Sequence, residues 1–343
     1  MSERAGLAVA VVGATSLVGE TLLRVLEERA FPVASLSALA PERDAAGEVR
    51  FRGEPIEVAA IGRFDFGSIQ LAFFCGSRDL SLQFAPRAAA AGCTVIDHSS
   101  SIYADEEVPL VVPEVNPHAL ARLGRGALVV NPNCSTVQLV LALKPILDAA
   151  GLERVQVATY QSVSGLGHEG IDELARQSIA LLSGQGPVKP RLIPKPIAFN
   201  CVPQVGELLE GGQTLEEEML AWQTRRILES PELAVNATAV RVPVFFGHSQ
   251  AVTVTTGTKL SAEEARAVLA NAPGVTVLEG KHAGSYPTAA TEQANRDTVY
   301  VGRIRDDMSS DRGLNLWIVA DNVRKGAATN SVQIAEALAR GDG

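Results

Sequence analysis

The chain has 343 residues and a net charge of −9; 46% of its residues are apolar and 20% are charged. This length exceeds what a single hydrophobic core usually serves, so we expect two domains. The negative charge disfavours nucleic acids and anionic membranes as partners, because both bind clustered Lys and Arg, but it allows a local basic pocket for a small anion. No apolar stretch approaches the roughly 20 residues that span a membrane. We therefore expect a soluble globular protein, and its few, scattered cysteines favour the reducing cytoplasm as its compartment.

The first third of the chain alternates short apolar runs with amphipathic segments. Strands are predicted at residues 8–12, 35–40, 71–74 and 94–96, and helices at 19–28 and 80–91. Strands that alternate with helices are typical of a parallel sheet covered on both faces. The predicted fold class is therefore α/β, with a doubly wound domain of the Rossmann type.

The pattern changes after about residue 131, where longer β-branched runs with period-two alternation begin. They predict strands at 155–160, 239–244, 251–256, 298–303 and 314–319. We expect a second, α+β domain with a mixed sheet, followed by a final helix at 325–340 that returns to the first domain. The predicted domains are 1–132 completed by 325–343, and 133–324. The proline-rich segment 184–202 is interpreted as an extended loop or dimer arm, with a flexible linker as the alternative.

A glycine turn at residues 13–19 follows the first strand and opens the first helix. Glycines in this position let the backbone approach a pyrophosphate, whose charge is stabilised by amides at the helix N-terminus. A purely structural turn is the alternative, since Ser16 stands where a G-x-x-G-x-x-G pattern has its middle glycine. The predicted nucleotide-binding residues are Gly13, Thr15, Ser16, Leu17, Val18 and Gly19.

Arg43 lies just after the second predicted strand, which does not end in Asp or Glu. An acidic residue there binds the ribose 2′-hydroxyl of NAD, whereas an arginine accommodates the 2′-phosphate of NADP. NADP is therefore the predicted cofactor. Because Glu42 and Asp44 flank Arg43 and weaken its field, a solvated arginine is the alternative.

The four cysteines are widely spaced and form no CxxC pair, so no disulfide framework is expected and no metal site is predicted. Cys134 starts a predicted helix inside the polar run Asn-Pro-Asn-Cys-Ser-Thr at 131–136. Amides at a helix N-terminus lower the pKa of a thiol and hold an oxyanion, as a thioester-forming nucleophile requires. A buried structural cysteine is the alternative. Cys75, Cys93 and Cys201 lie in or beside apolar runs and are interpreted as packing residues.

Arg241 and His248 belong to a third motif, which lies at a predicted turn between two strands. The planar guanidinium of Arg241 is suited to a substrate carboxylate. His248, which follows a glycine, is a candidate acid and base beside Cys134. A surface histidine in a loop is the alternative.

These motifs together resemble the aspartate-semialdehyde dehydrogenase family over nearly the whole chain. The resemblance implies an NADP-dependent enzyme of amino-acid biosynthesis. In the chemistry it implies, a cysteine thiolate attacks an acyl phosphate, phosphate leaves, and NADPH reduces the thioester to the aldehyde. It also implies a homodimer or tetramer whose second domain builds the dimer interface. The matching runs are VPLVVPEVN at 108–116, NCST at 133–136, TYQSVSG at 159–165, RVPVFFGH at 241–248, VGRIR at 301–305, KGAA at 325–328 and NSVQ at 330–333.

The resemblance also implies roles for individual positions of this chain. Asn133 and Gln333 map near the nicotinamide, and Glu217 maps to a carboxylate of the substrate site. The implied catalytic residues are Cys134, His248 and Gln161, the implied substrate-binding residues are Arg241, Glu217 and Asn133, and Gln333 joins Arg43 and the glycine turn as a cofactor-binding residue.

Two positions depart from the family pattern, and both concern phosphate. Tyr103 stands where the family has a phosphate-binding arginine, and Met219 stands where a Glu-x-Lys pattern has its lysine. Charge-assisted hydrogen bonds are worth about 1.5–3 kcal/mol each, so losing two lowers a rate by roughly a thousandfold or more. Arg225, Arg226 and Arg78 are candidates for taking over this task.

Three hypotheses are consistent with these residues. The first is an NADP-dependent aspartate-semialdehyde dehydrogenase with a relocated phosphate site. The second is a divergent paralogue of the Usg type that acts on another aldehyde or acyl compound without phosphate. The third is a catalytically weak member that serves as a non-catalytic binding partner. Cys134 and His248 favour the two enzymes, whereas Tyr103, Met219 and Ser16 favour the second and third hypotheses. The related N-acetyl-glutamyl-phosphate reductases differ around the cysteine and are disfavoured.

Overall fold

The structure, a computed structural model, describes residues 6–99, 108–121, 123–124, 126–186, 188–292 and 297–340. It divides into two compact units, Met1–Asn133 with Ala327–Gly343, and Cys134–Gly326. The chain therefore enters the second unit between 133 and 134, where 132/133 was predicted, and leaves it between 326 and 327, where 324/325 was predicted. Among the described residues, no helix is both long and apolar enough to cross a membrane.

The regular elements include every strand and helix that the sequence predicted, usually with longer ends. Four strands (Glu48–Phe51, Glu54–Ala60, Leu128–Val130 and Val275–Val277) and two helices (Gly167–Leu182 and Ala262–Ala270) were not predicted. Three of these strands have only three or four residues, which leaves little pattern to detect. The strands are β1 (Leu7–Val12), β2 (Val33–Ala40), β3 (Glu48–Phe51), β4 (Glu54–Ala60), β5 (Leu71–Phe74), β6 (Thr94–Asp97), β7 (Leu128–Val130), β8 (Leu152–Gln161), β9 (Ala234–Arg241), β10 (His248–Thr256), β11 (Val275–Val277), β12 (Val299–Asp306) and β13 (Gly313–Ala320). The α-helices are α1 (Leu17–Glu28), α2 (Arg78–Ala90), α3 (Cys134–Ala150), α4 (Gly167–Leu182), α5 (Leu215–Ile227), α6 (Ala262–Ala270) and α7 (Thr329–Arg340), the last preceded by a π-helical turn, Arg324–Ala328.

The first unit is built on a sheet with strand order β3-β4-β2-β1-β5-β6-β7. Neighbouring strands are parallel except for β3 and β4. Side chains alternate across β1, so that Val9 and Val11 enter a core shared with α1 and α7, while Ala10 and Val12 enter a second core shared with α2. A central strand that is buried on both faces confirms the predicted doubly wound α/β domain.

The second unit contains a mixed sheet with strand order β11-β12-β13-β10-β8-β9, as predicted. Only the β8–β9 and β11–β12 pairs are parallel. Helices α3, α5 and α6 contact each other or these strands. Along β8, Val155, Val157 and Thr159 are buried, whereas Gln156 and Tyr160 are exposed. We call the side of the sheet that carries Gln156, Ala158, Tyr160, Ala251, Thr253 and Trp317 the open face.

The segment at 184–202 contains no helix or strand among its described residues, and Pro187 lies outside them. Ile193, Ile197 and Val202 are nevertheless buried in one cluster with Leu174 of α4 and Val163. Packing of this kind agrees with the extended-loop interpretation and contradicts a flexible linker. Whether the segment acts as a dimer arm stays a prediction.

Candidate active site

Three strand ends of the second unit meet at the predicted catalytic residues. β8 ends at Gln161 and β9 ends at Arg241, and these two residues are register partners in the parallel ladder. β10 begins at His248, and its next residue, Ser249, pairs with Tyr160 in the antiparallel ladder with β8. The register therefore brings Gln161, Arg241 and His248 to the same edge of the sheet.

Cys134 is the first residue of α3 and is partly exposed to solvent. The sequence predicts that amides at the helix N-terminus lower the pKa of its thiol; the backbone hydrogen bond at Ser135 does lower it, but larger effects raise it. The packed protein around the sulfur, followed by the negative charge of Glu216, raises the pKa of the thiol to about 12, and the opposing effects of Arg241 and Ser135 are smaller. The thiol is therefore protonated at neutral pH, and its proton must leave when substrate reacts.

Gly326 allows the close approach of the π-helical turn to Cys134. A Cβ atom at position 326 would lie 2.8 Å from the Cβ and 3.2 Å from the Cα of Cys134. Contacts this short do not occur between packed carbon atoms. The glycine is thus required by the position of the cysteine.

Gln161 links the first turn of α3 to the first turn of α5. Its Nε2 donates to Ser135 Oγ at 2.9 Å and to Glu216 Oε1 at 2.8 Å. The carboxylate accepts but cannot donate, which fixes the orientation of the Gln161 amide. The backbone carbonyl of Ser135 also accepts from Gln250 Nε2 at 2.8 Å. The side chain and the backbone carbonyl of Ser135, the residue after Cys134, are therefore both held by hydrogen bonds.

Glu217, which we predicted as the substrate-site carboxylate, has a structural role instead. Its carboxylate accepts from the backbone nitrogen of Thr214 at 2.7 Å and from that of Ala239 at 2.8 Å. The Thr214 side chain in turn accepts from the Glu217 nitrogen, which completes a capping box at the start of α5. Glu216 is the carboxylate that interacts with Gln161, Cys134 and Arg241, so the prediction was one residue out.

A sequence signal for this correction exists. Thr-x-x-Glu before a helix is the pattern of a capping box, and it assigns Glu217 to the helix start. In the run of three glutamates at 216–218, this leaves Glu216 or Glu218 for the site, and Glu218 is exposed.

Arg241 is buried with a relative exposure of 5%, and its Nη1 donates to the carbonyl oxygen of Ser162 at 2.7 Å. Burial lowers the pKa of the guanidinium, while the charges of Glu216 and Cys134 oppose this shift. Arginine stays charged under such conditions. A buried cation with a neighbouring carboxylate is suited to a zwitterionic or anionic substrate.

His248 is fully buried, and its Nδ1 lies 3.1 Å from both the nitrogen and the Oγ of Ser162. Burial and the charge of Arg241 lower the pKa of the imidazole to about 3, against a smaller effect of the Gly247 backbone, so the ring is neutral at pH 7. A Cβ at Gly165 would lie 2.9 Å from Arg241 Nη1 and 3.6 Å from His248 Nε2. The glycine keeps open the space beside the reactive edges of both side chains.

The remaining cysteines differ in exposure. Cys75 and Cys93 are buried, as predicted, and burial raises the pKa of both thiols. Cys201 is exposed, so its interpretation as a packing residue is wrong; only the next residue, Val202, is buried. Among the described residues, no group of three His, Cys, Asp or Glu side chains is arranged to hold a metal ion.

The glycine turn of the first unit is packed tightly against the backbone around it. Gly13 has a φ of +80°, and a Cβ there would lie 2.7 Å from the backbone nitrogen of Gly76. A Cβ at Gly19 would lie 2.2 Å from the Gly13 carbonyl oxygen. Only glycine fits at these two positions, and the turn delivers the first amides of α1 to one place.

Ser16 replaces a glycine without loss of the turn because it caps α1. Its Oγ accepts from the Gly19 nitrogen at 3.0 Å and donates to the Cys75 carbonyl oxygen at 2.9 Å. Thr15 and Val18 are partly exposed, whereas the Leu17 side chain is buried, so Leu17 reaches a ligand only through its backbone. The residues present therefore fit a dinucleotide.

Arg43 lies in a short turn after β2, and its guanidinium is 85% exposed. Its Nε is 3.4 Å from Asp44 Oδ2, a weak surface pair.

Gln333, in α7, donates through Nε2 to Glu114 at 2.8 Å. Asn133 is the last residue of the first unit before Cys134.

Of the two positions that depart from the family pattern, the structure describes only Met219. Tyr103 lies outside the described residues. Met219 is partly exposed on α5, three residues after Glu216 and thus on the same helix face. Arg225 and Arg226 lie in the last turn of α5, about 9–10 Å along the helix axis from position 219, and their replacement of a lysine at 219 stays a prediction. Arg78, in the first unit, is exposed at the start of α2.

Comparison with known proteins places the chain in a family. A model described as "Semialdehyde dehydrogenase, NAD binding domain" matches residues 8–123, which confirms the predicted dinucleotide-binding domain. One described as "Semialdehyde dehydrogenase, dimerisation domain" matches residues 143–325.

Close relatives extend over the whole chain. An aspartate-semialdehyde dehydrogenase of Shewanella sp. (strain DB6705) is 50% identical over 97% of each chain, and one of Legionella pneumophila is 49% identical over 97% of this chain and 96% of its own. The crystal structure of aspartate semialdehyde dehydrogenase II from Vibrio cholerae has a TM-score of 0.94 and 48% identity, covering 98% of this chain and 99% of that chain. The chain belongs to the semialdehyde dehydrogenase family, as its motifs predicted.

Proposed function

We propose that this protein is an NADP-dependent aspartate-semialdehyde dehydrogenase that works through a thioester on Cys134. The observation that supports this most is the grouping of Cys134, Glu216, Arg241 and His248 in one unit, where Glu216 and Arg241 act on the pKa of the Cys134 thiol and Arg241 acts on that of His248. Relatives about 50% identical over 97% of the chain carry the same activity in their names.

The side chains divide the reaction between them. Arg241 binds the substrate carboxylate, and Glu216 binds its ammonium group. The Cys134 sulfur attacks the acyl carbon; the S–C bond forms and the carbonyl π pair moves to oxygen. Collapse restores the carbonyl and expels phosphate with its bonding pair, and the thiol proton leaves with the phosphate as hydrogen phosphate. The first-turn amides of α3 and the His248 side chain stabilise the charge that develops on oxygen.

The cofactor fits the glycine turn of the first unit, where Gly13, Ser16 and Gly19 shape a pyrophosphate site, and Arg43 is the residue for a 2′-phosphate. A bound nicotinamide supplies the hydride that reduces the thioester to the aldehyde. The four cysteines are free of disulfides, which fits the reducing cytoplasm.

The test is NADP-dependent oxidation of aspartate semialdehyde with and without phosphate. Wild type is compared with Cys134→Ser and with Cys201→Ser, the matched control at an exposed cysteine. We expect phosphate-dependent turnover in wild type and in the control, and none in Cys134→Ser. Equal activity of the two cysteine variants would contradict the thioester mechanism. NADP binding without turnover in wild type would favour the non-catalytic partner.

A second candidate, an enzyme for an acyl compound or aldehyde without phosphate, is favoured by Met219 alone. An apolar side chain on the Glu216 face of α5 offers no charge to a phosphate. Turnover of aspartate semialdehyde that is independent of phosphate, and that becomes phosphate-dependent in Met219→Lys, would support this candidate.

We also propose that two copies of the chain pair through the open face of the second unit. Tyr160 is 37% exposed there, and its ring lies 5.5 Å from that of Trp317. Trp317 is the register partner of Ala251 on β10, so small and aromatic side chains lie side by side on this face. The family match of 143–325 to a dimerisation domain includes the whole sheet.

The oligomeric state tests this pairing. Ala251→Arg places a charge in the centre of the open face, and Met308→Arg places the same charge on a fully exposed loop residue as a control. Light scattering after size-exclusion chromatography is expected to show a dimer or tetramer for wild type and Met308→Arg and smaller species for Ala251→Arg. An unchanged mass for Ala251→Arg would exclude this face.

A further inference from the structure

The hydrogen bonds behind His248 determine which nitrogen of its ring carries the proton. The backbone nitrogen of Ser162 lies 3.1 Å from His248 Nδ1. A backbone N–H can only donate, so Nδ1 must accept. A neutral imidazole has a single proton, which therefore sits on Nε2.

A second layer of contacts holds Ser162 in place. Asn322 Oδ1 accepts from Ser162 Oγ at 3.2 Å, from Ser164 Oγ at 3.1 Å and from the Gly247 nitrogen at 3.0 Å. Because the Gly247 N–H needs an oxygen, the Asn322 amide cannot be flipped. Ser162, Ser164, Asn322 and His248 are all less than 5% exposed, so the network excludes bulk water. Buried networks with satisfied partners hold side chains rigidly.

Ser162 also forms a hydrogen bond with Arg241, a cationic residue of the site. Its N–H donates to His248, and its carbonyl oxygen accepts from Arg241 Nη1 at 2.7 Å. A single peptide segment thus orients the imidazole and the guanidinium together. On the opposite edge of the ring, Nε2 is buried and has no hydrogen-bond partner within the described part of the chain, and a Cβ at Gly165 would lie 3.6 Å from it. Because position 165 is a glycine, no side chain occupies this place beside the Nε2–H group.

We infer that Asn322, acting through Ser162, is a positioning residue that holds His248 as the Nε2–H tautomer, so that His248 enters the reaction as a proton donor to the substrate oxygen. The low pKa of the buried ring agrees with a neutral donor at pH 7. In this tautomer Nε2 cannot also take the thiol proton of Cys134 in the same step. The catalytic part of this inference rests on the proposed function, whereas the tautomer does not.

The tautomer is tested by NMR of protein with ¹⁵N-labelled histidine side chains. The His248 signals are assigned by their loss in His248→Gln. We expect a pyridine-type signal for Nδ1 and a pyrrole-type signal for Nε2 in wild type. A protonated Nδ1 would overturn the inference, whether or not the enzyme oxidises aspartate semialdehyde, so failure of the function and failure of the tautomer are separate results.

Asn322 is tested by two variants of similar size. Asn322→Leu removes the acceptor that holds Ser162 Oγ, so Ser162 is expected to shift and its N–H to lose the contact with His248 Nδ1. We expect the tautomers to mix and kcat to fall at least about tenfold with little change in KM. Asn322→Asp keeps an acceptor oxygen and is expected to retain the Nε2–H signal and most of kcat. If Asn322→Leu is folded by circular dichroism and keeps both the single tautomer and kcat, Asn322 is not a positioning residue. If Asn322→Leu does not fold, loss of the Nε2–H signal in Asn322→Asp overturns the role.

Discussion

Glu216 accepts a 2.8 Å hydrogen bond from Gln161, although the two residues are 55 positions apart in the chain. Its neighbour Glu217 points to the helix start instead. Glu216 therefore belongs to the candidate site, whereas Glu217 stabilises the start of α5. Substitution of each residue tests this difference.

Glu216→Ala and Glu217→Ala form a matched pair on one helix turn. Loss of a charge-assisted contact is expected to lower kcat/KM of Glu216→Ala by about 10- to 150-fold with a small change in stability. Glu217→Ala loses its capping box, so its free energy of unfolding is expected to fall by about 1–2 kcal/mol with kcat/KM nearly unchanged. Urea unfolding and steady-state kinetics measure both, and the reverse pattern would restore Glu217 as the substrate carboxylate.

Glu216→Ala also has an effect on the cysteine. Because the negative charge of Glu216 raises the pKa of the Cys134 thiol, its removal is expected to lower that pKa and to speed alkylation of Cys134 at a fixed pH. Mass spectrometry after timed iodoacetamide treatment measures the rate, with Glu217→Ala as the control.

Alkylation of wild type is expected to depend strongly on pH. With a thiol pKa of about 12, the thiolate fraction of Cys134 grows with pH, so its alkylation rate rises about tenfold per pH unit from pH 6 to 9. Exposed Cys201 is expected to react first at neutral pH, because reagent reaches it freely. A Cys134 rate that is already constant near pH 7 would mean that the thiol is activated without substrate.

Gly326→Ala tests the packing behind the nucleophile. The added methyl lies 2.8 Å from the Cys134 Cβ, so we expect a cost of about 1–3 kcal/mol in stability and a fall in kcat as the start of α3 moves. Gly124→Ala is the control, since a Cβ at 124 meets no atom of the described residues within 4 Å. Equal melting temperatures and equal kcat for the two variants would show that the backbone around Cys134 accommodates the methyl group without loss of stability or activity.

Arg43→Ala tests the choice between NADP and NAD. A charge-assisted hydrogen bond to the 2′-phosphate is worth about 1.5–3 kcal/mol, so NADP affinity is expected to fall by about 10- to 150-fold while NAD affinity is unchanged. Arg50→Ala, at an exposed position of β3, makes the same change in charge elsewhere. Titration calorimetry gives both affinities, and equal NADP affinity in the two variants would return Arg43 to the role of a solvated arginine.

The sequence by itself determined where most strands and helices lie and which local turns join them. Alternating runs such as 155–160 predicted strands because side chains alternate across a sheet, and the glycine turn at 13–19 predicted a strand–helix junction because few other residues fit it. The polar run at 131–136 predicted that Cys134 starts a helix, which is α3. These features depend on residues that are close together in the chain, so a pattern of neighbours is enough to reveal them.

The tertiary structure decided which side chains face each other. Strand register pairs Gln161 with Arg241. The capping box places Glu217 at the helix start, so that Glu216 is the carboxylate of the site. Ser162 forms a hydrogen bond with Asn322, 160 positions away in the chain. The pKa of Cys134 also followed from packing, because the desolvation of the sulfur outweighs the local effects that the motif predicted. Distances and burial between segments far apart in the chain determine these properties, and no local pattern contains them.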